Sequence, residues 1–285
     1  MIRVLYMSDV HLEMERWRLP VPGWPAFMAR HRALSRHPAR GPLLDGFGPV
    51  DLVVLAGDIH NGFRGVIYAD QVAKYLNAPV VMVAGNHEFY HHSMTTLLPA
   101  LAAASAKTHG RVNFLENTVA TFTIRGRRLH VLGCTLWTDY ALNGDSDSAM
   151  RHARQIMNDH AFIQRGGAVF LPEDALAIHE HSRLWLHKTI AALHKRDSQA
   201  TLLIVTHHAP SGNVLGARTG QIAPAYGSDL LAEFAPWHPA AWIHGHTHYR
   251  HDSVEDGIRM VSAPRGYVVY DGADALQFTP GILEI

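Results

Sequence analysis

Cysteine is nearly absent: Cys134 stands alone among 285 residues, so no intramolecular disulfide can form. Neither sign of charge is in excess, with 25 Lys and Arg against 25 Asp and Glu. That balance argues against gripping nucleic acid by global charge, while leaving room for a local basic patch. No apolar run approaches the roughly 18 residues needed to cross a bilayer. The opening run over residues 2–7 is too short for a signal peptide and meets Asp9 at once. The expectation is a cytoplasmic protein with no membrane segment. No repeat with a period of about 20–50 residues is visible. What the chain does have is apolar bulk, 47% hydrophobic against 18% charged. That suffices for a large core in one domain.

Short apolar runs over residues 2–7, 51–56, 79–84, 201–205 and 240–243 read as buried strands. Helices are predicted over 65–76, 93–106 and 173–195, with Ser93 as an N-cap and Pro172 opening the third. Strands apolar on both faces, alternating with helices, predict a parallel sheet covered on its faces. A hairpin is predicted over 119–124 and 129–132, turning at Arg125-Gly126-Arg127. Ser228 is expected to cap a short helix over 229–234. Residues 258–262, 267–270 and 276–279 are expected to close the chain as antiparallel strands.

Two stretches break this pattern. Residues 13–48 carry Pro20, Pro22, Pro25, Pro38 and Pro42, and also Arg16, Arg18, Arg30, Arg32, Arg36 and Arg40 with Trp17, Trp24 and Phe27 between them. So many prolines exclude a core sheet and predict a surface insertion, with room for a short helix at 26–35. Basic residues among aromatics suit an anionic substrate or a nucleic-acid strand. Residues 136–171, helical from 148 to 164, form a second insertion. The expected organisation is one domain over 1–285, with insertions at about 13–48 and 136–171 placed to cap the active site.

Five strands end in residues of metal-ligand type. These are Asp9-x-His11, Gly57-Asp58, Gly85-Asn86-His87, His207 and His246-x-His248. In open α/β sheets ligands bind beyond the carboxyl ends of strands. Each fragment alone is weak; five in order, each at a strand end, are a strong signal. The set mixes oxygen and nitrogen donors without thiolate, which suits divalent ions of intermediate hardness. A carboxylate can bridge two such ions about 3.5–4 Å apart.

This ordered set, with Glu88 and Gly245, resembles the calcineurin-like metallophosphoesterase superfamily across residues 9–248. The resemblance implies an α/β fold: a four-layer αββα sandwich of two mixed β-sheets, with a dimetal site at the C-terminal strand ends. It implies two divalent ions, manganese first among manganese, iron, zinc, cobalt and nickel. Asp9, His11, Asp58 and His248 would hold one ion. Asp58, Asn86, His207 and His246 would hold the other, with Asp58 bridging. His87 would contact the phosphate and protonate or stabilise the leaving oxygen. The implied activity is hydrolysis of a phosphate ester by a metal-bridging hydroxide.

One departure bears on substrate. The phosphoprotein phosphatase branch carries an aspartate and an arginine just after its Gly-Asp motif; here those positions are Asn61 and Gly62. A dianionic monoester gains more from a guanidinium fork than a diester does. The sequence therefore favours a phosphodiesterase acting on a small-molecule or nucleotide-like ester. Arg64, Arg218, Arg250 or Arg265 could still supply charge. The alternatives are a phosphomonoesterase or protein phosphatase, and a nuclease using residues 16–40. The complete ligand set opposes a non-enzymatic binding scaffold. Arg265, Tyr267 and His60 are candidate substrate contacts. Glu88 and His244 are expected behind the ligands, and Asn158-Asp159 in the cap.

Overall fold

In a computed structural model of the chain, residues 1–15, 48–267, 270–271, 275 and 278–285 are described. The strands are β1 (Arg3–Met7), β2 (Leu52–Ala56), β3 (Val80–Val83), β4 (Val112–Leu115), β5 (Thr118–Ile124), β6 (Arg127–Cys134), β7 (Gln164–Arg165), β8 (Ala168–Val169), β9 (Thr201–Thr206), β10 (Ala241–Ile243), β11 (His251–Glu255), β12 (Ile258–Ser262) and β13 (Gly281–Glu284). The α-helices are α1 (Arg64–Leu76), α2 (Met94–Ala106), α3 (Ser146–Ile156), α4 (Asp159–Phe162), α5 (Pro172–Arg196) and α6 (Leu231–Phe234).

Two large mixed sheets carry the fold. The first has the order β13-β1-β2-β3-β4 and the second β11-β12-β10-β9-β6-β5. In the first, β1 to β4 run parallel and β13 joins β1 antiparallel. In the second, β6, β9, β10 and β12 run parallel, flanked by antiparallel β5 and β11.

Strand alternation explains the layers. Val4, Leu52, Val54, Val81 and Val83 face Leu129, Val131, Leu203, Val205, Ile243 and Val261 in one cluster between the sheets. Their neighbours Leu5, Val53, Leu55, Val80 and Met82 face outward and pack on Val66, Val72, Leu97 and Leu101 of α1 and α2. On the far side, Leu132, Ile204, Trp242 and Met260 pack on Leu186 and Ile190 of α5 and on Leu231 and Phe234 of α6. Each such side chain contributes about 1.5–3 kcal/mol by leaving water. The result is the expected helix–sheet–sheet–helix sandwich, and it brings the carboxyl ends of β1, β2, β3, β9 and β10 to one edge.

Some local expectations need correction. The predicted helix over 148–164 breaks at Met157, whose ψ of 126° is extended. A short helix restarts at Asp159, whose carboxylate turns into the site and accepts from Asn86. Ser93 occupies the N-cap position of α2 without capping it; its hydroxyl pairs with Thr95 Oγ1. Ser228 does not cap α6, because its hydroxyl donates to Asp139. Tyr267 does not open a strand: the amides of Tyr270 and Asp271 close a helical turn on its carbonyl, and Asp271 Oδ2 accepts from its amide. β12, expected to be antiparallel, pairs antiparallel with β11, a strand not expected from the sequence, and parallel with β10. The arginines, tryptophans and helix expected between residues 16 and 47, and Leu276 and Gln277, lie outside the described residues; Phe278 and Thr279, expected to end a strand, precede β13 without being in one.

Candidate metal centre

Asp9 and His11 leave β1, Asp58 leaves β2, Asn86 and His87 leave β3, His207 leaves β9, and His246 and His248 follow β10. The sequence stops each strand sharply. Asp9, His11, Asp58, His246 and His248 all adopt positive φ, between 49° and 68°. For a residue with a Cβ that conformation costs on the order of 1–3 kcal/mol. Five at one edge mean that the core over-determines these turns. Two glycines let the strand ends close on each other. A Cβ on Gly245 would lie 2.8 Å from the Ala56 carbonyl, from Asp9 Oδ2 and from Ser8 Cβ. A Cβ on Gly85 would run into Asp58 Oδ1 and lie 2.7 Å from His207 Cε1.

The side chains converge in overlapping groups: Asp9, His11 and His248; His11, Asp58 and His87; Asp58, His207 and His246. Asp58 Oδ2 lies 3.7 Å from His11 Nε2 and 3.4 Å from His207 Nε2, so Asp58, a member of the second and third groups, also borders the first. Asn86 Oδ1 is 3.0 Å from His207 Nε2. His11 Nε2 and His248 Nε2 face each other at 3.2 Å, and His248 Nε2 is 3.5 Å from Asp9 Oδ1.

Hydrogen bonds behind these atoms set their orientation. His207 Nδ1 donates to the Ala56 carbonyl at 2.9 Å, which leaves a lone pair on Nε2 in the neutral ring. Asp9 accepts from Ser8 Oγ and from the His246 amide. Asn86 Nδ2 donates to Asp159 Oδ1 at 2.7 Å, which turns Oδ1 toward His207. Tyr90 donates to the same Asp159 oxygen. Glu88 is fully buried and accepts from the amides of Asp58, Ile59, His60 and Gly85, joining the turns after β2 and β3. Burial and the neighbouring Asp58 push its carboxyl up to about 7.

Charge follows the same layout. Burial opposes ionisation of Asp58, yet His207 and His87 hold its carboxyl well below the usual range. Burial opposes charge on His207 too, but Asp58 raises it to about 9. Burial, reinforced by His208, holds His246 well below its ordinary value. His246 Nε2 is buried and has no hydrogen-bond partner among the described residues.

His87 is fixed on every side. Its amide donates to Asp58 Oδ1, its carbonyl accepts from Asn61 Nδ2, and its ring stacks on Tyr90 at 4.2 Å. Nδ1 donates to Glu13 Oε1 and Nε2 meets the Tyr267 hydroxyl at 3.1 Å. Burial opposes its charge, but Asp58 and then Glu13 raise it to about 9.

Of the substrate candidates, the Tyr267 ring lies 4.3 Å from that of His11. Arg265 is buried and donates to the Val10 carbonyl. His60 is buried with Nδ1 at 3.0 Å from the Asn61 carbonyl. His244 turns away and meets His251 Nε2 at 3.3 Å. A cavity of about 440 Å³ opens beside His248, lined also by Arg250, Arg265, Asp271 and Phe278. Sequence reasoning missed Glu13 and Tyr90, and gave Asp159 only a place in the cap. Glu13 carried a legible signal, since it continues the two-residue spacing of Asp9 and His11.

Comparison with known proteins gives the family and the fold. The profile of the family described as calcineurin-like phosphoesterase matches residues 2–250. The chain belongs to that family of metal-dependent phosphoester hydrolases. Among individual relatives, Uncharacterized protein L509 of Acanthamoeba polyphaga mimivirus is 25% identical over 239 residues, covering 77% of this chain and 80% of that protein. Among solved structures, phosphopantetheinyl hydrolase (PptH) from Mycobacterium tuberculosis superposes with a TM-score of 0.66 at 17% identity, covering 93% of this chain and 89% of that one. At that identity the likeness concerns the fold. Among the described residues no helix is long and apolar enough to cross a membrane.

Proposed function

We propose that the protein is a dimetal phosphodiesterase acting on a small-molecule or nucleotide-like ester. The observation that carries the reading is the position of Asp58 Oδ2, 3.7 Å from His11 Nε2 of the Asp9–His11–His248 group and 3.4 Å from His207 Nε2, which with His246 completes the group of Asp58 itself. The residues fit divalent ions. Their donors are oxygen and imidazole nitrogen, the Nε2 atoms of His11 and His248 converge, and His246 Nε2 is buried without a hydrogen-bond partner among the described residues.

Asp9, His11, Asp58 and His248 would hold one ion, and Asp58, Asn86, His207 and His246 the other. Ions there would supply a hydroxide nucleophile at neutral pH and positive charge against the phosphoryl oxygens, with manganese first among the candidates. His87 would hold a proton at Nε2 for the leaving oxygen; without metal, Asp58 and then Glu13 raise its pKa to about 9 against burial. Tyr267 fixes the direction of that proton.

Diester preference is supported by the absence of a guanidinium at positions 61 and 62. Asn61 instead anchors the His87 backbone. Arg265 and Arg250, beside His248, are turned onto main-chain carbonyls of Val10 and Thr279. A cytoplasmic location belongs to the same proposal and is supported by the single, buried cysteine.

The test is turnover of an activated aryl phosphodiester and its monoester with added manganese. The diester should turn over faster, and Asp58→Asn should lower its kcat by on the order of 10³-fold. A variant near the wild-type rate, or a monoester preference, would contradict the mechanism or the substrate class respectively.

A further inference from the structure

The turn that follows β1 places three side chains at two-residue intervals: Asp9, His11 and Glu13. The first two reach the ligand group. The third does not join any of the groups, yet it is drawn into the same place. A 3-10 turn over Leu12–Glu15 bends the chain just after His11, and the side chain of Glu13 is left only 10% exposed.

There a single atom, Glu13 Oε1, serves two rings. It lies 2.9 Å from His11 Nδ1 and 3.0 Å from His87 Nδ1. A carboxylate oxygen accepts only, so both Nδ1 atoms must carry hydrogen. That choice fixes the far side of each ring. On His11 it leaves Nε2 as a lone pair, 3.7 Å from Asp58 Oδ2 and 3.2 Å from His248 Nε2. On His87 it aims Nε2 away from Glu13 and toward the Tyr267 hydroxyl. The two rings, 4.4 Å apart and edge to face, are thereby held in one mutual orientation. Glu13 Oε2 has no hydrogen-bond partner among the described residues, so the shared atom is the whole of this contact.

We propose that Glu13 is the positioning residue of the centre: one carboxylate oxygen sets the tautomer of a ligand ring, His11, and the angle of both that ring and the reacting ring, His87. The assignment rests on the metal-centre reading above. Partners of ligating histidines commonly change metal affinity or activity 10–100-fold when removed. A residue shared by ligand and proton donor couples the two roles, so its loss lowers metal affinity and kcat together, with KM little changed.

The test uses the full chain with three substitutions. Glu13→Gln keeps an acceptor oxygen in the same place and gives up no Oε2 contact among the described residues. Glu13→Ala removes the acceptor. Glu13→Asp keeps the charge but is one methylene short of both rings. Side-chain ¹⁵N–¹H spectra of the metal-free protein report the hydrogen-bonded Nδ1–H groups of His11 and His87. Titration with manganese or zinc alone reports affinity. In Glu13→Ala the two Nδ1–H signals should vanish and affinity should fall about 10–100-fold. Glu13→Gln should keep both signals and stay within about fivefold of wild type. Should Glu13→Ala not fold, Glu13→Asp takes its place, and loss of either Nδ1–H signal supports the assignment. Wild-type affinity and Nδ1–H signals in Glu13→Ala or in Glu13→Asp would overturn it. So would a loss in Glu13→Gln as large as in Glu13→Ala, because charge rather than placement would then be the requirement. These readouts need no substrate, so failure of diester turnover in the wild-type protein would sink the functional reading and leave this test standing.

Discussion

The two sheets contribute unequal halves to the centre. Asp9, His11, Asp58 and Asn86, from the first sheet, are held by side-chain and amide hydrogen bonds to Ser8, Glu13, His87 and Asp159. His246, from the second, is held largely by packing. Its ring lies between His208 at 4.1 Å and Tyr226 at 4.7 Å, and Nε2 is unpartnered among the described residues. The first half is oriented in advance by hydrogen bonds. The second holds His207 by the Ala56 carbonyl, but in His246 it offers a neutral, buried imidazole whose desolvation is uncompensated among the described residues until a cation arrives. The halves should therefore respond differently to loss of metal and to mutation.

The largest expected effect falls on the packed half. His246→Ala should cut diester turnover by about 10²–10³-fold. Its thermal stability with a chelator present should stay close to that of chelated wild type. In the wild-type protein, metal at 100 times its dissociation constant adds about 2.7 kcal/mol. That shifts Tm by roughly 5–10 °C, and calorimetry with and without chelator measures it. His246→Ala should close much of that gap; an unchanged gap would show that this histidine does not bind the ion.

A smaller loss is expected on the hydrogen-bonded half. Asp159→Ala frees the Asn86 amide to rotate and leaves Tyr90 without its acceptor. Turnover should fall about 10–100-fold. Asp159→Asn should lose less, because it keeps the one oxygen that accepts from both donors. If both variants matched wild type in kcat, Asn86 would be positioned by something other than the second insertion.

This difference between the halves follows what the amino-acid order can reveal. The ligand types were legible because each follows an apolar run such as residues 52–56 or 201–206, and a buried parallel strand needs that run. The partners were not. Asp159 lies 73 residues from Asn86, and nothing in its local sequence says where its carboxylate goes. Even the helix containing it was drawn too long, because the break at Met157 serves that long-range contact. The strands His251–Glu255 and Gly281–Glu284 escaped for another reason. The first is a polar edge strand with three exposed residues, and the second is a short run after Pro280 at the other sheet's edge. Edge strands need not be apolar on both faces.

The smallest expected effect concerns the join between the halves. Glu116 follows β4 of the first sheet and accepts from the amide and hydroxyl of Thr135, just past β6 of the second. Burial pushes its carboxyl up to about 7, against those two hydrogen bonds. In the unfolded chain it would titrate near 4.5. Between those values the folded state keeps a proton that the unfolded state has released. Its contribution to stability is therefore full below pH 4.5, falls as pH rises toward 7, and is flat above. The loss is on the order of 1–3 kcal/mol. Urea unfolding of the chelated protein at pH 5 and pH 8 should show a loss smaller by that amount in Glu116→Gln than in wild type, the remainder including Glu88, whose carboxyl is also pushed up to about 7. Diester turnover of that variant should stay within about twofold, because the join bears on how the sheets hold together rather than on how either half aims its ligands. Equal pH slopes in the two proteins would mean that the Glu116 carboxyl is ionised in the folded state and that the sheets are joined there by a charged hydrogen bond instead.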